Sequence, residues 1–336
     1  LNGVKLQEQD HQHQHSARFN QTLINRRVFF ENSERGDVLD VRFSNILSFS
    51  GTSYSGYSDT LLFASASNDR TLKLWDIESK CCFSIVDNAD SAIKSVDFSN
   101  DGRYVVYASE DGYLRLWDLK EGRIVFEEEA HEDIINCVRF STDGQYVVSA
   151  STDTMIKVWK LNSEVLVLEK TLENNFPTIN CVDFSPNGKY IAFGTWQRGV
   201  GLWDWQAEKL LWVRHNHFSR VTSITFSSDN QYVLSGSSDD TVFEWKVVDG
   251  SIKRQYLEHH NGVNSVSCHP TEPWLASASG DNNIKIWNRD TGEPVHTMLG
   301  HSDYVMTVQF SPDGKYLLSG SNDGMIRLWT FDEVSY

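Results

Sequence analysis

Seven tryptophans recur along this chain at an almost constant spacing. They are Trp75, Trp117, Trp159, Trp203, Trp245, Trp287 and Trp329, and they are separated by 42, 42, 44, 42, 42 and 42 residues. A period of this length indicates a repeat architecture, in which each unit buries its apolar faces against its neighbours. The 336-residue chain is therefore interpreted as a repeat array before any single motif is assigned.

Each of these tryptophans closes a short run in which apolar and polar residues alternate, such as TLKLW, MIKVW and NIKIW. Alternation of this kind is typical of a half-buried β-strand. An upstream run ends in small residues, as in YVVSAS, and tight turns such as Asp143-Gly144 precede it. Asp-Gly turns favour hairpins because they accept positive φ. Two further runs in each repeat, such as VMTVQFS and EPVHTML, predict four strands for every repeat.

The pattern resembles the WD40 repeat family over about residues 22–333. The sequence LWD closes three of the repeats, whereas the other four keep the Trp without the Asp. The GH element is intact only at Gly300-His301. The resemblance implies an all-β fold, a seven-bladed WD40 β-propeller, whose radial repetition protects its sheet edges. The expected repeats are about 22–76, 77–118, 119–160, 161–204, 205–246, 247–288 and 289–330, with a polar, flexible tail over 1–21 and a C-terminal end over 334–336.

The two ends of the array indicate how the ring closes. Only seven residues follow Trp329, too few for another strand and its turn, and the segment INRRVFFEN, residues 24–32, precedes repeat one. As in the family, we expect this N-terminal segment to supply the outer strand of the last blade. Repeat one also holds 13 extra residues between its first two strands, within SNILSFSGTSYSGYSDTLL, which we interpret as a mobile loop.

Four repeats carry a His, a Ser and an Asp that stand 28, 10 and 6 residues before the repeat Trp. The four sets are His131, Ser149, Asp153 and Trp159; His217, Ser235, Asp239 and Trp245; His259, Ser277, Asp281 and Trp287; and His301, Ser319, Asp323 and Trp329. A catalytic triad is needed once, in a cleft of its own. Four copies instead indicate a buried chain of hydrogen bonds from indole to hydroxyl to imidazole to carboxylate. Breaking such a chain leaves buried polar groups unpaired at a cost of about 1–3 kcal/mol each.

The other three repeats depart from this set. The His and Ser positions hold Ala89 and Tyr107 in repeat two and Asn175 and Phe193 in repeat four, where Gln197 also replaces the Asp; repeat one has Glu34 at the His position but keeps Ser65 and Asp69. Joint loss is expected, because a half-satisfied buried polar network is less stable than an apolar one. The polar set therefore behaves as a structural unit.

Composition excludes several classes of partner. With 30 basic and 46 acidic residues the formal charge is −16, which disfavours direct binding of nucleic acid. No apolar run approaches the roughly 20 residues of a membrane span. The five cysteines are odd in number and mostly far apart, so we expect neither a disulfide framework nor a metal site, and we infer an intracellular, cytoplasmic or nuclear, location. No cofactor is predicted.

Binding residues are expected on the loops that a rigid scaffold carries. In the family the His-bearing and Asp-bearing loops share one face around a central channel, which we call the His/Asp-loop face. The residue five after each His position is expected at the channel mouth: Leu39, Lys94, Asn136, Asn180, Thr222, Asn264 and Met306. These side chains offer no paired carboxylates and no metal shell, which disfavours an enzyme centred on the channel. Leu39 and Met306 are candidates for an apolar wall against a partner side chain.

The loops of repeats four and five are richer in residues that interfaces favour. They bring together Phe176, Trp196, Arg198, Phe218 and Arg220, and Trp, Arg and Phe are typical of interface centres. The alternative is that Trp196 and Phe176 only fill the space left by the missing His and Asp. Tyr304 is a further aromatic candidate. The acidic segment FEEEAHED of repeat three is either a binding site for a basic peptide or a solvated surface.

These observations lead to three hypotheses of different class. The first is a non-catalytic scaffold that binds protein or peptide segments on its His/Asp-loop face within a multiprotein complex. The second is a sensor or autoinhibitory domain of a larger signalling protein, suggested by the start at Leu1 without Met or signal peptide. The third, least favoured, is a propeller enzyme centred on the channel.

Overall fold

In the computed structural model, residues 27–31, 36–45, 61–80, 82–86, 89–173 and 176–331 are described. The expected tail over 1–21, the C-terminal end over 334–336, most of the extra loop of repeat one, and Glu34 and Asn175 lie outside these residues. The described part of the chain forms β-strands and no helix. The predicted all-β class is thus confirmed.

The strands form seven antiparallel four-stranded sheets, one for each repeat, and we number these blades one to seven in chain order. Blade one is β2 (Val38–Phe43), β3 (Leu62–Ser67), β4 (Leu72–Asp76) and β5 (Cys82–Val86). Blade two is β6 (Ile93–Phe98), β7 (Tyr104–Ser109), β8 (Tyr113–Asp118) and β9 (Arg123–Glu129). Blade three is β10 (Ile135–Phe140), β11 (Tyr146–Ser151), β12 (Met155–Asn162) and β13 (Val165–Glu173). Blades four and five are β14 (Ile179–Phe184), β15 (Tyr190–Thr195), β16 (Val200–Asp204) and β17 (Lys209–Arg214); and β18 (Val221–Phe226), β19 (Tyr232–Ser237), β20 (Val242–Lys246) and β21 (Ile252–Tyr256). Blade six is β22 (Val263–Cys268), β23 (Trp274–Ser279), β24 (Ile284–Asn288) and β25 (Pro294–Met298), and blade seven contains β26 (Val305–Phe310), β27 (Tyr316–Ser321) and β28 (Met325–Thr330).

The fourth strand of blade seven comes from the other end of the chain. Strand β1 (Arg27–Glu31) pairs antiparallel with β28, with Arg27 opposite Trp329 and Glu31 opposite Met325. The first strand of every blade contacts the first strands of both neighbouring blades, including β26 with β2. These strands therefore line a closed ring around a central channel, and blade seven is a sheet shared between the two ends of the array.

The apolar core lies between neighbouring blades. One buried cluster joins Ile156 and Val158 of blade three to Val182 and Phe184 of blade four. Each blade thus buries both faces, which is why its strands contain apolar residues at successive positions. The 44-residue spacing between Trp159 and Trp203 also has a structural cause, because β12 and β13 form a longer hairpin, eight and nine residues, than the outer strands of the other blades.

Blades five and six are joined by a buried ion pair as well. Glu244 takes a position before the repeat Trp that is apolar in the other blades, and it is fully buried. Arg289 of blade six donates from Nη2 and Nε to its Oε1 at 2.6 and 3.1 Å, and the Tyr256 hydroxyl donates to its Oε2 at 3.0 Å. Both carboxylate oxygens therefore have partners, which offsets part of the cost of burying the charge.

Candidate functional site

The four predicted sets of Trp, Ser, His and Asp are hydrogen-bonded chains, which we call the tetrads. In blade three, the Trp159 indole donates from Nε1 to Ser149 Oγ at 2.9 Å, and Ser149 Oγ lies 2.7 Å from His131 Nε2. His131 Nδ1 is 2.8 Å from Asp153 Oδ2. Since the hydroxyl accepts from the indole, it donates to Nε2, and the imidazole donates from Nδ1 to the carboxylate.

The other three tetrads repeat this geometry. Their His-to-Asp distances are 2.8 to 2.9 Å and their His-to-Ser distances 2.7 to 2.8 Å. All four imidazoles are buried. Every hydroxyl and imidazole nitrogen is thus occupied by another member of its own tetrad. Four equivalent buried chains hold the Asp-bearing loop of a blade to the loop that carries the His.

The charge state of the tetrads follows from their surroundings. Burial by itself raises the pKa of Asp323, but hydrogen bonds from His301, Ser302 and Met325 outweigh it and lower the pKa to about 2. The pKa values of Asp153, Asp239 and Asp281 are lowered for the same reason. Burial lowers the pKa of His301 more than Asp323 raises it. A neutral imidazole beside a carboxylate is therefore the resting state of this tetrad at neutral pH.

Blade two, one of the two blades that lack both His and Ser at these positions, uses an arginine instead. In blade two, Arg115 donates from Nη1 to Ser109 Oγ at 2.6 Å and from Nη2 to Asp111 Oδ2 at 2.9 Å. Its Nε donates to Glu127 Oε2 at 2.7 Å. The guanidinium therefore ties the Asp-bearing loop to the outer strand. Sequence reasoning did not find this role, because other blades also carry Lys or Arg at that position.

In blade four an aromatic ring takes the place of the polar chain. Phe193, at the Ser position, is fully buried over Gly201, where a Cβ atom would lie 2.2 Å from its Cζ atom. Phe176 is half-buried, with its ring centroid 6.0 Å from that of Phe193 and 6.1 Å from that of His215. Phe176 thus packs into the blade, as one of the two sequence interpretations expected. Trp196, in contrast, is 53% exposed, so the two aromatic residues have different environments.

The residues expected at the channel mouth share one backbone feature. Each is the extra residue of a β-bulge at the start of the first strand of its blade, and each is half-buried. A bulge turns its side chain away from the regular alternation of a strand. The amides of Asn136, Asn180 and Asn264 donate to the carbonyl oxygens of Ile179, Val221 and Val305 of the next blade at 2.9 to 3.0 Å, and Thr222 bonds Val263 similarly.

These amide and hydroxyl groups therefore link blades three to seven and are occupied by the scaffold. The remaining mouth residues differ. Lys94 lies 3.4 Å from Glu110 of its own blade, and Leu39 is apolar. Met306 receives a long contact, 3.8 Å, from Asn264 to its sulfur atom. Leu39 and Met306 are the two members of the ring that bring apolar surface to the mouth.

The channel contains a charged network that sequence reasoning missed. Asp40 of blade one is buried and accepts from Ser95 Oγ of blade two at 2.9 Å and from Arg139 Nη1 of blade three at 3.2 Å. Burial raises the pKa of Asp97 to about 7, against the opposing charge of Arg42. These charged residues stand singly in largely apolar strands that are far apart in sequence, such as VLDVRF, and only ring closure brings them together.

The His/Asp-loop face carries an exposed aromatic and cationic surface on blades four and five, which we call the blade four–five patch. It consists of Trp196 and Arg198 on the Asp-position loop of blade four, and Phe218 and Arg220 on the His loop of blade five. Phe218 is 80% exposed. The Arg220 guanidinium carbon lies 4.7 Å from the Trp196 ring centroid, and Arg220 Nε donates to Ser238 Oγ at 3.0 Å. Four of the five predicted interface residues thus share one surface.

Tyr304, 46% exposed, belongs to the His loop of blade seven and is not part of this patch. The acidic residues of blade three form a separate region of the surface, in which Glu128, Glu129, Glu132 and Asp133 are exposed. Glu127 of the same segment is paired with Arg115 at 2.7 Å. The blade four–five patch and the acidic segment therefore differ in both polarity and charge.

Seven radial sheets, closed by a shared last blade and locked by repeated tetrads, define a β-propeller that presents its loops on a rigid face. The WD40 family profile, described as WD domain, G-beta repeat, matches residues 28–76, 79–118, 122–160, 167–204, 208–246, 250–288 and 292–330. The chain belongs to the WD40 family. Comparison with curated protein sequences gave no match. Among the described residues, no helix has the length and apolar character needed to cross a membrane.

Proposed function

We propose that this WD40 propeller is a non-catalytic scaffold that binds protein or peptide segments on its His/Asp-loop face within a larger complex. WD40 propellers generally serve protein–protein interaction. The observation that carries the proposal for this chain is the blade four–five patch. There an exposed indole lies against an arginine from the neighbouring blade, and the loop of that arginine also carries a phenyl ring that is 80% exposed.

The size of the exposed rings supports a binding role. Large aromatic side chains bury 150–250 Å² each, and removing apolar surface from water contributes about 25 cal/mol per Å². Complete burial of one such ring by a partner is therefore worth several kcal/mol, and partial burial proportionally less. Trp and Arg are the residue types most enriched among the residues that dominate binding energy. The patch combines both with an exposed Phe.

The scaffold holds the patch in a defined geometry. The backbone N–H of Phe218 donates to Asp239 Oδ2 at 2.7 Å, and that carboxylate is the terminal member of the blade-five tetrad. The Trp196 N–H donates to the Thr178 carbonyl at 3.0 Å. Loops held in this way lose little conformational entropy on binding, which favours affinity. In this proposal the tetrad supports the binding surface rather than acting on a substrate.

Other candidate residues are assigned to the margins of the same face. We propose that Leu39 and Met306 form an apolar wall at the channel mouth, that Lys94 contributes a charge there, and that Tyr304 is an additional contact on blade seven. We further propose an intracellular location, supported by Cys137, Cys181 and Cys268, which are free thiols in the described part of the chain. The absence of a catalytic role is also proposed, supported by the occupied hydroxyl and imidazole groups of all four tetrads.

The test compares the interactions of three full-length proteins expressed at equal levels. The wild type is compared with Trp196→Ala combined with Phe218→Ala, and with Val248→Ala as a control that removes an exposed apolar residue, 84% exposed, outside the patch. We expect a defined set of proteins to be recovered with the wild type and the control but lost with the double variant, whose melting temperature falls only slightly because the Trp196–Arg220 contact is exposed. Identical recovery with all three proteins contradicts the proposed surface.

A further inference from the structure

The chemistry of the patch indicates what its partner contains. We propose that the blade four–five patch recognises an acidic side chain, Asp or Glu, within a partner segment, next to an apolar residue that covers Trp196 and Phe218. This inference rests on the proposed function and adds to it the class of segment that binds.

The orientation of Arg220 is the first argument. Its Nε atom is held by Ser238 Oγ at 3.0 Å, and its guanidinium carbon lies 4.7 Å from the Trp196 ring centroid. These two contacts restrict the orientation of the guanidinium group. Its two terminal nitrogens have no recorded hydrogen bond to any described residue. The N–H groups of these two nitrogens are therefore available to donate to both oxygens of one carboxylate in a bidentate pair.

Several arginines elsewhere in the propeller are paired with a carboxylate. Arg103, Arg115 and Arg289 use a terminal nitrogen to bind a carboxylate at 2.6 to 2.9 Å. Arg139 binds Asp40 at 3.2 Å and a backbone carbonyl. Within the described chain, by contrast, no ion pair is recorded for Arg220. Arg220 is exposed and its Nε atom is held by Ser238, but no carboxylate of the described chain pairs with it.

The charge of the patch is the second argument. Acidic residues outnumber basic ones by 46 to 30, so a surface with two cations and no paired acid stands out from the rest of the protein. Arg198, on the same loop as Trp196, is exposed and has no recorded ion pair with the described residues. A partner carboxylate between these loops would meet two guanidinium groups. Beside Trp196 and Phe218 it would also be shielded from water, which strengthens an ion pair.

A side-chain carboxylate fits this surface better than a phosphate group. Asp239 Oδ2 accepts from the Phe218 backbone N–H at 2.7 Å, and Glu132 and Asp133 are exposed on blade three, which adjoins blade four. A phosphate carries close to two negative charges at neutral pH, so these acids repel it more than they repel one carboxylate. Of the two guanidinium groups in the patch, only that of Arg220 is positioned by a hydrogen bond, whereas phosphate sites typically use clusters of positioned arginines.

The experiment uses the full chain and fluorescent nine-residue peptides on a Gly/Ser background, with both ends blocked. The central pair is Leu or Phe followed by Glu, Gln, Lys or phosphoserine, and a further set ends in a free C-terminal carboxylate instead. We expect the apolar–Glu peptides to bind the wild type about ten-fold more tightly than the apolar–Gln peptides, since charged hydrogen bonds exceed neutral ones in strength. Arg220→Glu is expected to reverse the preference from Glu to Lys.

A matched control exists in blade one. Arg70 is exposed and takes the same loop position, with φ 70°, that Arg198 takes in blade four with φ 68°. Arg70→Glu changes the net charge by the same amount as Arg220→Glu, so we expect it to keep the preference for Glu. If both variants lose that preference equally, long-range charge explains the binding and the inference is wrong.

The remaining outcomes separate this inference from the proposed function. Equal binding of Glu and Gln peptides, stronger binding of phosphoserine or of the free C-terminus, or no binding by any peptide overturns the inference. If peptides bind without charge preference and the Trp196→Ala, Phe218→Ala variant loses them, the patch remains a binding surface and only the acidic specificity fails. If Glu-dependent binding survives that double variant, the carboxylate is bound elsewhere and the inference is likewise wrong.

Discussion

The guanidinium carbon of Arg220 lies 4.7 Å from the centroid of the Trp196 indole, although the two residues belong to different blades. The contact joins the Asp-position loop of blade four to the His loop of blade five. Blade four has lost its tetrad and places an exposed Trp at this loop, whereas blade five keeps its tetrad and holds its loop rigidly. The surface therefore exists only where these two different blades meet.

The Trp196–Arg220 contact predicts a measurable coupling. Trp196→Ala, Arg220→Ala and the double variant form a cycle, and we expect the effects on the free energy of unfolding to be non-additive by about 0.5–1 kcal/mol, the value for an exposed cation–π pair. Urea denaturation of the four proteins measures it. Additive effects would show that the two side chains do not interact in solution.

The tetrads predict a large effect of a single carboxylate. Asp323→Ala removes the acceptor of the His301 imidazole and of the Ser302 N–H, and we expect the free energy of unfolding to fall by about 3 kcal/mol. The control is Asp303→Ala, an exposed carboxylate on the His301 loop that bonds only the adjacent Tyr304 N–H in the described chain. We expect the control to change stability by less than about 0.5 kcal/mol. Chemical denaturation of both variants distinguishes them.

The bonds of Arg115 in blade two predict that this arginine takes the structural place of the tetrad imidazole. Arg115→Met leaves Asp111 without its guanidinium partner beside buried Ser109, and we expect a loss of about 1–3 kcal/mol. Arg123→Met, in a nearby strand, removes only an exposed pair with Glu164 at 3.6 Å, and is expected to cost at most about 0.5 kcal/mol. Equal melting temperatures of the two variants would contradict a structural role for Arg115.

The Glu244–Arg289 pair predicts a rescue. Glu244→Leu leaves the Arg289 guanidinium buried without its carboxylate, and we expect destabilisation by about 3–5 kcal/mol. Adding Arg289→Leu is expected to restore most of that loss, because a buried ion pair is often replaceable by apolar residues. Thermal denaturation of the single and double variants provides the measurement. A double variant no more stable than Glu244→Leu refutes the explanation.

The channel predicts a pH-dependent effect of Asp97. Burial raises its pKa from 3.8 to about 7, so between these values the folded protein binds more protons at this site than the unfolded chain. The favourable contribution of Asp97 to the free energy of unfolding is complete below pH 3.8 and is lost as the pH rises through about 7. Asp97→Asn keeps an oxygen that can accept from the Phe140 N–H, which now donates to Asp97 at 2.8 Å.

We therefore expect Asp97→Asn to be more stable than the wild type by more than about 1 kcal/mol at pH 8, with a smaller difference at pH 5. Urea denaturation at the two pH values measures both differences, and the titration of the tetrads cancels in the comparison. A difference that does not depend on pH would show that Asp97 titrates near its ordinary range.

Local sequence signals were sufficient for the architecture. The Trp spacing and the repeated turns predicted seven blades of four strands, and the constant distances from His, Ser and Asp to Trp predicted the tetrads. These features are readable because each strand, turn and tetrad lies within one repeat, where sequence separation determines which groups meet. The 44-residue interval was visible too, but only the structure assigned it to the long hairpin of blade three.

The tertiary structure decided which residues meet across blade boundaries. The sequence left Phe176 and Trp196 open as interface or packing residues, and their environments differ, because the Phe176 ring lies against Phe193 and His215 whereas Trp196 is 53% exposed. The hydrogen bonds from the channel-mouth amides to the next blade, and the cluster of charges around Asp40, likewise depend on ring closure. Sequence alone determined the repeating unit because its bonds are local, whereas the surface depended on side-chain packing between units that differ from one another.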